Sequence, residues 1–172
     1  KTTRIILNYL TRKKPRHLSV IYAETGYAMN RMNRESLKNQ CSTREVEVEN
    51  ISIIGGGQGK LAAYIFMPEG DCHYILIICH GFRGAKENSG RIFTFAEKLN
   101  KLGLGVLAFD FSSSGASNGD FADISLSSQV SDLRQVIDYI DSNYNRPVIL
   151  LGRSFGGSTV LAAASDEKVA GY

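Results

Sequence analysis

Long hydrophobic runs are absent from this sequence of 172 residues. Its apolar runs, such as Tyr74 to Cys79 (YILIIC), are far shorter than the roughly 20 residues that a membrane-spanning helix requires. Internal repeats and low-complexity segments are absent as well. With 43% hydrophobic and 9% aromatic residues, the chain can bury one sizeable core. We therefore expect a soluble globular domain or a large part of one.

Cysteine is scarce, with residues only at Cys41, Cys72 and Cys79. The odd number and the absence of C-x-x-C spacing indicate neither a disulfide framework nor a zinc site. A reducing compartment fits this usage, and the cytoplasm is the expected location. The first residue is lysine and no signal-peptide pattern is present, so a removed N-terminal segment stays open.

A glycine-rich stretch from Gly55 to Leu61 (GGGQGKL) has the composition of a phosphate-binding loop but not its pattern. Position 61 holds leucine, where such a loop needs the Ser or Thr that binds magnesium. We therefore interpret the stretch as a hairpin turn. We expect the protein to use no cofactor and no metal.

Positive charge is concentrated at the start of the chain. Residues 1–40 carry nine Lys and Arg against two Glu, while the remainder of the chain has an acidic excess. The cluster Thr11 to His17 (TRKKPRH) is of a kind that contacts anionic lipid or nucleic acid. No aromatic stacking pattern or nucleic-acid motif accompanies it. A solvated basic arm is therefore favoured over membrane contact, and we expect no nucleic-acid partner.

From residue 45 onward, strand-like and helix-like patterns alternate. EVEVENISI and LAAYIFMPE, with a turn between them, predict an antiparallel hairpin. Further strand patterns (HYILIICHG, GVLAFDF, PVILLG and a beginning KVAGY) are separated by helical patterns near residues 89–102, 125–143 and 155–164. This alternation is typical of a mostly parallel sheet with helices on both faces. We predict this α/β fold for residues 45–172 and separate residues 1–44 as a basic leader.

One serine lies in a setting that favours nucleophilic chemistry. Gly152 to Gly156 (GRSFG) matches the pattern G-x-S-x-G between a predicted strand and an apolar helix. The turn in this motif is so tight that small residues, here Gly152 and Gly156, must flank the serine. It would expose the Ser154 hydroxyl and place the positive end of the helix beside a developing anion. An ordinary turn before a helix is the less favoured interpretation.

A second motif, CHGFRGAKENSG (Cys79 to Gly90), follows the third predicted strand. Its turn would direct the N–H of Phe82 at Ser154. The N–H of Phe155 would supply a second donor, so that the two amides form an oxyanion hole for a tetrahedral intermediate.

The other candidate side chains are given structural roles. His80 precedes Ser154 and lies at a strand end, so it is interpreted as a loop histidine. His17 and His73 are interpreted as exposed residues. Asp110 ends the strand GVLAFD, and we expect it to make local hydrogen bonds.

Four segments in this order carry a resemblance: HGFRGAKEN, AFDFSSSGASNGDF, SLSSQVSDLRQVIDYI and ILLGRSFGG. From about residue 45 to the end, the chain resembles the N-terminal half of a serine-nucleophile α/β-hydrolase. Within that fold it is similar to cinnamoyl- and feruloyl-esterase-like and serine-aminopeptidase-like members. The resemblance implies an acyl-serine mechanism on a small-molecule ester or a short peptide. Arg153 and Phe155 stand where relatives often have histidine or glutamine, which leaves the acyl preference open.

The sequence contains no histidine after Ser154. The resemblance implies a catalytic triad in the order serine, acid, histidine, with the last two in loops after later strands. The only acidic residues after Ser154 are Asp166 and Glu167, which are expected in the turn after the nucleophile helix, so the triad acid and the histidine are missing from this chain. A fragment of a longer hydrolase, truncated after the nucleophile helix and inactive alone, is the favoured interpretation. The alternative is a non-catalytic protein that binds a partner. In both cases the missing C-terminal half or a second chain is expected to cover the open sheet edge.

Overall fold

Six strands form one mixed sheet in the computed structural model, which describes residues 48–55 and 59–172. In chain order the strands are β1 (Val48–Ile54), β2 (Lys60–Phe66), β3 (Tyr74–Cys79), β4 (Leu104–Phe109), β5 (Val148–Gly152) and β6 (Val169–Gly171). The helices are α1 (Arg91–Asn100), α2 (Leu126–Tyr144) and α3 (Phe155–Ala163), and a short 3₁₀ helix covers Phe121–Asp123.

The strands lie in the order β1-β2-β4-β3-β5-β6. β1 and β2 form an antiparallel hairpin, and β2 also pairs antiparallel with β4. The pairs β3 with β4, β3 with β5, and β5 with β6 are parallel. The predicted mostly parallel sheet that begins with an antiparallel hairpin is therefore confirmed. The last predicted strand is present as β6.

Helices cover both faces of this sheet, as predicted. α1 packs the apolar stripe of Ile92, Ala96 and Leu99 against one face, with the spacing of three and four residues that a helix requires. α2 and α3 pack together on the other face. All six residues of β4 are buried between these layers, which explains its continuous apolar sequence.

Some predictions concern residues that the structure does not describe. The basic leader (residues 1–44), the three residues that precede β1 and the centre of the predicted hairpin turn (residues 56–58) lie outside the described part of the chain. Within the described part, none of the helices combines the length and the apolar character needed to cross a membrane.

Candidate active site

The carboxyl ends of three parallel strands meet at one edge of the sheet. Cys79, the last residue of β3, is opposite Phe109 in β4 and Gly152 in β5. The residues that immediately follow these strands therefore lie next to one another. This edge brings together the loop after β3, the loop after β4 and the turn that carries Ser154.

Ser154 occupies the turn between β5 and α3 with φ 53° and ψ −121°. A positive φ is unfavourable for any residue with a Cβ and costs about 1–3 kcal/mol. The residue is exposed and directly precedes the first turn of α3. The turn thus presents the hydroxyl to solvent at the positive end of a helix, where a developing negative charge is stabilised.

The glycines around Ser154 leave room for backbone contacts that a side chain would prevent. A Cβ on Gly152 would lie 2.6 Å from the Cα of Gly157. A Cβ on Gly156 would collide with the carbonyl oxygens of Cys79 and His80. The N–H of Arg153 donates to the carbonyl of Cys79 at 3.1 Å. The close approach of α3 to β5 at Gly152, and to the end of β3 at Gly156, therefore leaves no room for a side chain at either position.

Gly156→Ala is expected to destabilise the domain, whereas Gly157→Ala is not. The first substitution forces a methyl group into the backbone of β3, an overpacking that costs about 1–3 kcal/mol. At Gly157 the nearest atom to a new Cβ would be the carbonyl oxygen of Gly152 at 3.6 Å, an ordinary contact. Alanine there should be neutral or stabilise the helix by up to about 1 kcal/mol. Urea unfolding of both variants tests this pair, and equal losses would contradict the packing argument.

The two candidate oxyanion donors lie on either side of the Ser154 turn. Phe155 is the first residue of α3, so its N–H has no partner within the helix. Gly81 lies against the serine, since a Cβ on Gly81 would be 3.2 Å from the Cβ of Ser154. Phe82 follows in a turn that is closed by the N–H of Gly84, which donates to the carbonyl of Gly81 at 2.8 Å. This turn does not use the N–H of Phe82.

Three aromatic rings form a row beside these amides. The ring centroid of Phe82 lies 6.5 Å from that of Phe155 and 5.7 Å from that of Phe121 in the loop after β4. Phe82 and Phe121 are each more than half exposed. The sequence does not predict Phe121 as part of the site, because nothing in its local pattern places the 3₁₀ helix next to the loop after β3.

His80 uses both ring nitrogens for structural hydrogen bonds. Its Nε2 accepts the N–H of Phe111 at 3.1 Å, and its Nδ1–H donates to the carbonyl of Gly81 at 2.8 Å. The imidazole is buried and stacks edge-on against the Phe111 ring. This agrees with its interpretation as a loop histidine. His73 is exposed, as expected, and precedes β3 at the end of the strand that lies away from Ser154.

Asp110 is completely buried at the carboxyl end of β4 and makes the local hydrogen bonds that were expected. Its carboxylate accepts the backbone N–H of Lys86 at 2.6 Å, the Lys86 ammonium at 2.7 Å and the N–H of Ala116 at 2.9 Å. Glu87 is a second partner of the ammonium, with 2.8 Å between Nζ and Oε1. The carboxylate therefore joins the loops after β3 and β4.

Hydrogen bonding sets the protonation of the Lys86 and Glu87 pair. Burial by itself would lower the pKa of Lys86, but hydrogen bonds to Asp110 and Glu87 outweigh it and raise the pKa. For Glu87, burial would raise the pKa, but the hydrogen bond and the charge of Lys86, together with hydrogen bonds from its own main chain and from Tyr64, outweigh burial and lower the pKa. Both groups are therefore charged at neutral pH, when each stabilises the other.

Comparison with known proteins identifies the family. The sequence profile described as serine aminopeptidase S33 matches residues 70–170, more than half of the chain. The chain belongs to this family of serine α/β-hydrolases. The matched segment contains β3, the loop with Phe82, β5 and the turn with Ser154.

The chain is also similar to individual curated proteins. The chain is 33% identical over 113 residues to a monoglyceride lipase from Rattus norvegicus. The aligned segment covers 64% of the chain and 36% of the lipase. The chain is 32% identical over 117 residues to the quorum-quenching protein AidA from Acinetobacter baumannii, with 64% of the chain and 38% of AidA covered. The chain thus spans little more than a third of the length of these curated relatives.

The chain is also similar to solved structures. Est1E from Butyrivibrio proteoclasticus, determined with bound ferulic acid, superposes with a TM-score of 0.59 at 31% identity. The match covers 65% of this chain and 46% of Est1E. The α/β-hydrolase GrgF from Penicillium sp. superposes with a TM-score of 0.64 at 24% identity, over 72% of this chain and 44% of GrgF. This match shows the α/β-hydrolase fold.

Lys86 also belongs to this edge of the sheet, although its sequence pattern does not predict that position. It lies within the motif HGFRGAKEN, but a lysine in a polar loop is normally solvated. The one available signal was the presence of a carboxylate, Asp110, at the end of the next strand. Sequence alone does not reveal that the two residues are paired, since 24 positions separate them.

Proposed function

We propose that the protein containing this chain is a serine hydrolase that cleaves a carboxylic ester, thioester or amide through an acyl-serine on Ser154. The observation that carries the proposal is the positive φ of an exposed serine between β5 and α3. Strain of this kind persists where the surrounding structure enforces it, and such positions cluster at active sites. Membership in the S33 family supports the same chemistry.

The proposed reaction begins with attack of the Ser154 oxygen on the substrate carbonyl carbon. The hydroxyl proton passes to a general base, and the carbonyl oxygen becomes an oxyanion. The N–H groups of Phe82 and Phe155 donate to this oxyanion. Collapse of the tetrahedral intermediate expels the leaving group, which takes up the proton, and a water molecule then releases the acyl group from Ser154.

The general base is expected outside the described residues. Both nitrogens of His80 are engaged. His73 is separated from the site by the six residues of β3, a length of about 20 Å. The base and the carboxylate that orients it are therefore proposed to come from sequence beyond Tyr172 or from a second chain.

An ester of an apolar acid or alcohol is the proposed small-molecule substrate, with a short peptide as the alternative. The exposed rings of Phe82 and Phe121 provide an apolar surface beside Ser154, which binds a hydrocarbon or aromatic group by removing it from water. The names of two relatives point the same way, since one is a lipase and the other was determined with ferulic acid.

Labelling with a fluorophosphonate tests the proposed chemistry, because this reagent modifies serines that are activated as nucleophiles. The protein with its natural flanking sequence should carry one adduct, which peptide mass spectrometry should locate on Ser154. Ser158, exposed one turn later in α3, should remain unmodified. A folded protein that takes up no label at Ser154 would contradict the proposal and favour the non-catalytic, partner-binding alternative.

A further inference from the structure

Lys86 is a buried charged residue to which the proposed reaction assigns no role. Its side chain is only 5% exposed, and its ammonium lies 4.9 Å from the ring centroid of Tyr64. Burying an ammonium is unfavourable unless it is paired and hydrogen-bonded. Lys86 meets this requirement through its contacts with Asp110 and Glu87. These contacts lie at the same edge of the sheet as Ser154.

Asp110 holds Lys86 by two different atoms. One carboxylate oxygen accepts the Lys86 main-chain N–H at 2.6 Å, and the other accepts the ammonium at 2.7 Å. Asp110 is itself fixed to the sheet, because its N–H donates to the carbonyl of Ala62 at 2.9 Å and its carbonyl accepts the Ser117 hydroxyl at 2.7 Å. The carboxylate thus anchors both the backbone and the side chain of Lys86 to a rigid strand end.

The opposite end of the same loop is anchored to Phe111, the residue after Asp110 in the loop that follows β4. The Nε2 of His80 accepts the N–H of Phe111 at 3.1 Å. The segment from His80 to Lys86 is therefore attached at both ends to the consecutive residues Asp110 and Phe111. Phe82, the candidate oxyanion donor, lies between the two attachments.

We infer that Lys86 is a positioning residue for the oxyanion hole, whose paired contacts with Asp110 keep the N–H of Phe82 directed at Ser154. This inference rests on the proposed function. Oxyanion donors are effective because they are oriented before the reaction begins, and loss of one donor lowers kcat by about 10²–10³-fold. A donor that is displaced rather than removed should cause a smaller loss, about 10–10²-fold. Lys86 acts through Phe82 and touches no reacting atom.

The inference is tested with Lys86→Met in the protein with its natural flanking sequence. We expect kcat for a short-chain nitrophenyl ester to fall about 10–10²-fold, while KM changes less than about threefold, because the lost interaction acts on the transition state. Rates are normalised to the concentration of sites that the fluorophosphonate can label. Lys101→Met is the matched control, since Lys101 forms an exposed surface pair with Glu97, and it should keep kcat within about twofold.

A double variant, Lys86→Met with Asp110→Asn, separates positioning from stability. It removes both charges of the buried pair, so Tm should recover by at least about half of the loss in Lys86→Met. The kcat should stay low, because the side-chain tie between position 86 and position 110 is still missing. If Lys86→Met does not fold, the double variant provides the same comparison with wild type. Recovery of kcat together with Tm would overturn the inference and assign Lys86 a structural role only.

Failure of this inference is distinguishable from failure of the proposed function. If Ser154→Ala abolishes turnover while the Lys86 variants keep the wild-type kcat, the positioning role is wrong and the serine chemistry stands. If Ser154→Ala keeps full turnover, the proposed function is wrong and the positioning role falls with it.

Discussion

Ser154→Ala is expected to lower kcat for a nitrophenyl ester by about 10⁶-fold in the protein with its natural flanking sequence. Removal of the nucleophile from a serine hydrolase costs about as much as removal of the whole catalytic triad, because the triad acts as a unit. The residual rate would come from the oxyanion hole and from substrate binding. Initial-rate kinetics with purified enzyme, normalised to folded protein, provides the measurement.

Ser158→Ala is the matched control for this substitution. Ser158 is exposed in α3, and its N–H donates to the carbonyl of Ser154 at 3.3 Å. Alanine keeps this main-chain bond, so kcat should remain within about twofold of wild type. A Ser154→Ala enzyme with more than about a tenth of wild-type kcat would contradict the nucleophile assignment.

The 172-residue chain alone is expected to hydrolyse the same ester no faster than its own Ser154→Ala variant. The described histidines do not provide a base, since His80 is fully engaged and His73 lies at the far end of β3. Turnover by the chain that depends on Ser154 would mean that His17, His73, His80 or a second copy supplies the base. That result would contradict the structural roles assigned to these histidines.

Lys86→Met is expected to lower the free energy of unfolding by about 3–5 kcal/mol. The substitution leaves the fully buried Asp110 carboxylate without its ammonium partner, and an uncompensated buried charge has a cost of this size. Urea unfolding at neutral pH measures the difference. Lys101→Met, in an exposed pair with Glu97, should cost less than about 1 kcal/mol. Equal losses of unfolding free energy in the two variants would contradict the larger contribution expected from the buried pair.

The pH dependence of this effect follows from the pKa of Lys86, which is raised above 10.5 in the folded state. A raised pKa contributes stability that is present below the unfolded value and is lost as pH rises through the folded value. The difference between wild type and Lys86→Met should therefore be constant from about pH 7 to 9 and decrease only at more alkaline pH, as Lys86 loses its proton in the folded protein. If the difference in free energy of unfolding instead shrinks between pH 7 and 9, Lys86 loses its proton at a lower pH than its pairing with Asp110 requires, and the raised pKa is contradicted.

The sequence by itself determined the order of the elements and the position of the nucleophile turn. The continuous apolar run of β3 is a local pattern that reflects burial of a strand on both faces. The apolar stripe of α1 is a local pattern that reflects burial of a helix on one face. The turn at Ser154 was predictable for the same reason. Its glycines are adjacent in sequence to the serine that they serve, and the strand and helix around it have clear signals.

Only the tertiary structure decided which distant residues meet at the edge of the sheet. The pairing of Lys86 with Asp110, the bond from Phe111 to His80, and the approach of Phe121 to Phe82 all join loops that follow different strands. Local sequence patterns record how each segment is buried, but they do not record which side chains face each other. Those contacts depend on strand order and register, since β3 lies between β4 and β5 and aligns their carboxyl ends.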